Sequence, residues 1–548
     1  MNLGTEPPTL DWNLANDSTS FDIISVIMVG LTRFSLDEDE NIIVKPGVAK
    51  SWEISNNSTE YVFHLDPRAT WTDKVPVTAQ HFIDSFQRLL DPETAAPYAD
   101  LLSIIDLKDT KALDPQTLFI KLKRPAAYFI YLTAYGLALP IRKDLIEKHG
   151  RNWTEPENLI TNGPFYLSDW HHEYKITLKR NSRFHQKINK HDIRFPKLAQ
   201  ELQYFMIQEQ SSAFNLYKNN SLDWIDNRSI PLSVMKNINK YKNLSKNCSD
   251  TRLVNAKKRS LLKVNEHFEN ECNTVDGDSW MGSAQKIPVL RNTYIGFNHS
   301  QKPFDDINLR KAFSYAVDRK ALVEIIGKGD LANNTWIPPS LGQFFDLSQI
   351  IDKFEKRYKL KVSQSEYQRG FFPELAKELL AKSKYTKDDL KEIKFRIPNR
   401  ESSKILAETL QAMWLETLDI EVKIETMEWK VFLSGLRDDP PDIYRLNWGA
   451  DYPDPDTFTG LFTKNNQINY GHFENDYYDR LSIAAGTILN LEKRKEKYTE
   501  AESILTLDEL AIIPLFIDTQ TILKKDYVKG LKVNAMDISF LDEITLEK

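Results

Sequence analysis

Only two cysteines, Cys248 and Cys272, occur in 548 residues. So sparse a set excludes a disulfide-built scaffold. The pair either closes one local loop, if geometry permits, or stays as two thiols. No apolar stretch approaches the ~20 residues that a membrane helix needs. The nearest, residues 21–31, is interrupted by Asp22, Ser25 and Gly30. The ten histidines are scattered, with His171-His172 the one adjacent pair, and no His/Cys/carboxylate grouping has zinc-ligand spacing. No metal and no other cofactor is expected. Catalytic signatures are missing too: no glycine loop for phosphate, no Gly-x-Ser-x-Gly elbow and no His-Glu-x-x-His helix. Asp451-Tyr452-Pro453-Asp454-Pro455-Asp456 gathers carboxylates, but its prolines break a calcium-ligand ladder and no Gly or distal Glu follows in register. The 72 basic and 78 acidic residues are well mixed and sum to −6, without the basic stripe of a nucleic-acid binder. An enzyme is not expected.

What is present is material for a large core. Hydrophobic residues make up 41% and aromatics 11%. The length exceeds what one core usually fills, so two or more lobes are expected. Alternation in Tyr61-Val62-Phe63-His64-Leu65 predicts a strand. Thr78 is placed to cap a helix carrying Phe82, Phe86, Leu89 and Leu90 on one face, ended by Asp91-Pro92. Asn158 to Pro164 is a breaker cluster, with strands expected after it at 165–167 and 175–178. Residues 243–286, polar and charged, with Lys257-Lys258-Arg259 and Glu266, Glu269 and Glu271, read as a surface insertion. A strand is expected at 292–298, one helix from a cap at Asp306 to about Ile326, a helix at 402–418, a strand at 420–424 and a helix at 494–510. Strand and helix mix without regular βαβ order, which predicts mixed α/β lobes joined by strand crossovers.

Six segments, in this order, resemble the extracytoplasmic oligopeptide- and dipeptide-binding proteins of ATP-driven importers. They are Glu6-Pro7-Pro8-Thr9-Leu10-Asp11; residues 44–52 with Pro46-Gly47-Val48-Ala49 and Trp52; and residues 61–86 with Trp71-x-Asp73-x-x-Pro76-Val77-Thr78-Ala79. Next come Asp91-Pro92-x-Thr94-Ala95-x-Pro97-Tyr98 with Thr161-Asn162-Gly163-Pro164-Phe165; Pro303-Phe304-Asp305-Asp306 with Arg310, Ala312 and Ala316-x-Asp318-Arg319; and Trp429 through Asp451-Tyr452-x-Asp454-Pro455. The chain departs from that family at Lys74, where glycine is usual. Tyr294 and Gly449 stand near the positions of a disulfide found in some members, and a ligand-contacting histidine is replaced near Ser403.

The resemblance implies a periplasmic-binding-protein-like α/β fold: two large mixed lobes around a cleft plus an extra smaller domain. Its limits are expected at 1–43, 160–292 and 514–548 for the first lobe, 44–159 for the second and 293–513 for the third. It implies an extended short peptide as ligand, its backbone paired with Val29-Gly30-Leu31 and Trp448-Gly449-Ala450. It places the peptide ammonium on Asp451 and the carboxylate near Arg437, Arg445, Arg400, Lys404 or Lys302. Trp429, Trp448 and Tyr98 would wall the cleft. Murein tripeptide, oligosaccharide or a metal chelate are alternative solutes on the same scaffold; a hydrolase or chaperone is a more distant reading. The implied partners are the ABC permease subunits of the inner membrane, and the implied state is a monomer. The location is periplasmic, or extracytoplasmic as an anchored lipoprotein. Met1 leads straight into residues that read as folded protein, which a removed export signal would explain and a cytosolic protein would equally show, so the location rests on the resemblance and not on the N-terminus.

Overall fold

The computed structural model describes residues 1–37, 42–55, 58–186, 197–235, 238, 282–464, 466 and 468–547. Cys248, Cys272 and the charged stretch with Lys257, Lys258, Arg259, Glu266, Glu269 and Glu271 lie outside the described residues. Three larger sheets organise the chain. The first is antiparallel, in the order Ala49–Ile54, Glu60–Leu65, Thr117–Lys121, Lys111–Asp114. Tyr61, Phe63 and Leu65 point to the core and their neighbours outward, the period of two that a half-buried strand requires. Phe82, Phe86 and Leu89 of helix Ala79–Leu90 join the same core. That helix begins where His81 Nδ1 accepts from Thr78 N at 3.0 Å. Lys74 precedes it at φ +77°, a left-handed conformation that glycine adopts without steric cost.

The second sheet is Phe165–His171, Lys175–Arg180 and Glu201–Phe205. The third has seven strands, in the order Trp224–Ile225, Ile512–Lys524, Ser283–Phe297, Ile443–Gly449, Lys394–Pro398, Lys423–Met427, with Leu331–Ala332 also beside Ile512–Lys524. Its two long strands connect two hydrophobic cores. Residues 292–296 pair with 512–517, inside a core that takes Tyr294, Ile295, Ile513 and Leu515. Residues 283–288 pair with 519–524, beside the core built from residues 1–204 and the C-terminal segment. The register shifts between Pro288 and Asn292, and such an irregularity bends a strand pair.

Several expected elements differ. The helix expected from Asp306 to Ile326 is two, Ile307–Tyr315 and Arg319–Ile326. Asp318 leaves helical geometry between them, and its carboxylate accepts from Lys320 N and Ala321 N, both at 3.1 Å, to start the second. Residues 283–286, assigned to the insertion on polarity, are the start of a 15-residue strand. The strand expected at 420–424 is Lys423–Met427. The helix expected at 494–510 is Leu491–Ser503 followed by a wider turn, Ile504–Asp508. Buried Arg310 and Arg319 tie these helices to the backbone: Arg310 donates to Phe304 O at 2.6 Å and Glu509 O at 2.8 Å, and Arg319 to Pro514 O at 2.6 Å.

Candidate functional site

A cavity of about 480 Å³ lies between the two cores. Helix Ser18–Ile27 and the extended residues after it form one wall; Tyr98 and Tyr135, Gly449–Asp451, and the turn around Asp537 form the others. Asp17 starts the helix by accepting from Ser20 N at 2.9 Å and Ser20 Oγ at 2.6 Å.

The strand Ile443–Gly449 brings the third-sheet wall to the cavity. One edge pairs with residues 291–297 along its whole length. The other edge meets Lys394–Pro398 only at Ile443 and Tyr444. From Arg445 to Gly449 that edge is therefore unpaired among the described residues. Ala450 N continues the first edge by donating to Leu290 O at 2.7 Å, and Asp451 follows at the strand's end.

The three acids of the turn that follows have different fates. Asp454 is fully buried and holds Arg494 Nη2 at 2.7 Å through both oxygens. Asp456 accepts from Tyr452 Oη at 2.8 Å. Asp451 lines the cavity, and among the described residues its carboxylate is hydrogen-bonded only by the Thr457 hydroxyl, at 3.4 Å. Burial pushes its pKa up to about 6, against a small opposing effect of Thr457. Tyr98, raised to about 12, owes its shift first to burial and then to the nearby Asp451 charge.

Val29, Gly30, Tyr98, Gly449, Ala450 and Asp451 all line this cavity. The backbone of 29–31 is largely committed elsewhere. Val29 N donates to Asn162 Oδ1 and Val29 O accepts from Asn162 Nδ2, both at 2.9 Å. Gly30 O accepts from Val48 N at 2.8 Å and Leu31 O from Ala49 N at 2.9 Å. Gly30 is required by its own chain, because a Cβ there would lie 2.6 Å from Thr133 O. Gly449 is different: the nearest atom to an added Cβ is Arg291 Nε at 3.4 Å.

The expected cations and aromatics are dispersed. Arg445 sits on the open strand edge, its buried Nε without a partner among the described residues. Burial pulls its pKa down, Asp518 pulls it back, and Arg400 adds repulsion. Arg400 lies over the Trp429 ring at 5.2 Å, and Trp429 stacks on Phe432. Trp448 packs on the core around Tyr294 and Leu515, its Nε1 without a hydrogen-bond partner among the described residues. Leu31 is wholly buried. Arg437, Lys404 and Lys302 are exposed, and like Arg445, Arg400, Trp429, Trp448 and Leu31 they do not line the cavity. The arginines that do line it are Arg33, Arg228 and Arg291, which the sequence reading missed. They come from three distant segments, and no local spacing marks them.

Among the described residues no three His, Cys, Asp or Glu side chains gather as a metal site requires, and no helix is long and apolar enough to cross a membrane.

The chain is similar along nearly its whole length to known proteins. It is 26% identical to the probable deoxycholate-binding periplasmic protein YgiS of Escherichia coli, over 99% of this chain and 92% of that one. It is 27% identical to the periplasmic oligopeptide-binding protein OppA of Escherichia coli, over 96% and 90%. The solved structure of the Escherichia coli murein tripeptide binding protein MppA superposes with a TM-score of 0.72 at 26% identity, covering 100% of this chain and 97% of the other. A family model matches residues 44–470, and on that match the chain belongs to the bacterial extracellular solute-binding proteins, family 5.

Proposed function

We propose that this protein is the solute-binding component of an ABC importer for short peptides. The observation that carries the reading is Asp451: a desolvated carboxylate with no ion-pair partner among the described residues, at the end of an open strand edge, facing an interlobe cavity. A peptide laid along Arg445–Gly449 completes that edge through main-chain hydrogen bonds, which read no sequence. Its ammonium then meets Asp451. Arg445, with Arg400 nearby, holds the terminal carboxylate; a guanidinium fork suits that group. Arg445 and Asp451 are six strand positions apart, roughly 20 Å at ~3.3 Å per residue, which admits about three to five residues once side-chain reach is subtracted.

The lobes divide as 1–43 with 160–292 and 514–548, then 44–159, then 293–513, and the third closes on the others about the bent strand pair. Tyr128 and Tyr452 stack across that division at 4.8 Å, and Ala127 N donates to Gly486 O at 3.0 Å. The protein acts outside the cytoplasmic membrane as a monomer, delivers its ligand to permease subunits and carries out no chemistry on it.

Native mass spectrometry of the purified protein, followed by release and sequencing of what it carries, tests the reading. Co-purified peptides with free amino ends support it. A carboxylate-bearing steroid or sugar in the cleft, with no thermal shift from a di- to pentapeptide library, would refute it, because a ligand must stabilise the state it binds.

A further inference from the structure

The cavity's charges do not balance internally. Five carboxylates line it, from Asp17, Asp22, Asp451, Asp537 and Asp542, against Arg33, Arg228 and Arg291. Each arginine is engaged. Arg33 holds Asp542 at 2.9 Å. Arg228 bridges Asp22 and Asp226. Arg291 lies 3.7 Å from Asp518. Asp17 is taken up by capping its helix. Two carboxylates are left with no ion pair within 4 Å among the described residues: Asp451 and Asp537.

They sit at separate places. The charges that reach Asp537 are those of Asp22, Asp226, Arg228 and Arg291, whereas Asp451 reaches Tyr98 and Tyr135. Asp537 lies on the turn between Lys532–Val533 and Ser539–Phe540, fixed by the buried Asn534. Asn534 Oδ1 accepts from Met536 N at 2.9 Å and Ile538 N at 3.0 Å, and Asn534 O accepts from Asp537 N at 3.0 Å. The carboxylate is therefore carried on a hydrogen-bonded turn and lines the cavity.

Resting on the peptide reading, we propose that Asp537 is a specificity residue that pairs with a second cation of the ligand, so that the preferred solutes are peptides carrying a lysine or arginine side chain in addition to the free amino end. One carboxylate takes the ammonium that every peptide has; the other takes a charge that only basic peptides have. Burial, and then the Asp22 and Asp226 charges, push the Asp537 pKa up to about 7 in the free protein. A partly desolvated acid without an ion-pair partner is unfavourable when ionised, and an incoming ammonium offsets that cost.

The test compares tripeptides with lysine or norleucine at position one, two or three, titrated calorimetrically at pH 8 into the full chain and into Asp537→Asn. Norleucine keeps the apolar stem and removes the charge, so the wild-type comparison needs no variant. Asparagine is close in shape and tolerates the φ of +62° found at this position. The expected result is that lysine at one position binds about tenfold tighter than norleucine in the wild type, and that the ratio falls to about one in Asp537→Asn. Norleucine and lysine peptides of equal affinity at every position would overturn the assignment while leaving peptide binding standing. A lysine preference that survives Asp537→Asn overturns it as well. If none of the peptides binds, the peptide reading fails and takes this proposal with it.

Discussion

Asp454 and Asp451 stand three residues apart in one turn, and their surroundings are opposite. Asp454 has no solvent contact and is satisfied by Arg494 and Tyr498, the latter donating at 3.1 Å. Asp451 is only half-buried, in the cavity wall, and its carboxylate has one long contact, to Thr457, among the described residues. The first arrangement holds the turn; the second leaves a carboxylate whose burial is compensated only when a cation arrives. The contrast separates residues that shape the cleft from residues that use it, although both look alike as acids in a proline-rich loop.

Breaking the structural half should give the largest effect. Arg494→Ala leaves Asp454 buried and unpaired, and removing one member of such a pair costs roughly 3–5 kcal/mol. Urea denaturation should show that loss. Asp451→Asn should behave in the opposite way.

The signs follow from the shift of Asp451 from 3.8 to about 6. In the free protein the protonated form is favoured, so its contribution to stability is full below the unfolded value of 3.8 and is lost as pH rises through about 6. Above that, Asp451→Asn should be more stable than the wild type, by at most about 3 kcal/mol. Ligand binding runs the other way. A peptide ammonium needs the ionised acid, so wild-type affinity for an uncharged-side-chain tripeptide should fall as pH drops below about 6. In Asp451→Asn the affinity should be low and flat across that range. A wild-type profile flat from pH 5 to 8 would sever Asp451 from the ligand.

A third, smaller contrast lies among the cations. Arg445→Ala should weaken tripeptide binding about tenfold or more, consistent with truncating one partner of a buried charge pair. Arg437→Ala and Lys404→Ala should change it less than about twofold, because both side chains are exposed and neither lies on the open strand edge that carries Arg445.

Much of this was readable before the structure, for identifiable reasons. Strand Glu60–Leu65 and helix Ala79–Leu90 bury one face each, so their periodicity shows in sequence. The single-helix reading of 306–326 failed because Ala316-Val317 keeps the apolar pattern running while Asp318 restarts the backbone. Asp451 was found through a family motif; its composition alone does not distinguish it from Asp454 or Asp456. The role of Asn162, which acts as a substitute strand partner for Val29, was hidden in a segment legible only as a breaker. Arg228, Arg291 and Asp537 were missed because the cavity is assembled from both ends and the middle of the chain. Side-chain convergence of that kind leaves no trace in local spacing.

The central claim is that Asp451 receives the free amino group of a peptide. Its most direct test is titration calorimetry with one tripeptide and its N-acetylated form, against the wild type and Asp451→Asn. The account predicts that the free amine binds the wild type, and that acetylation and the substitution each weaken binding by at least about thirtyfold. It also predicts that the two together weaken it little more than either alone, since both remove the same pair. Equal binding of the free and acetylated peptides to the wild type would contradict it.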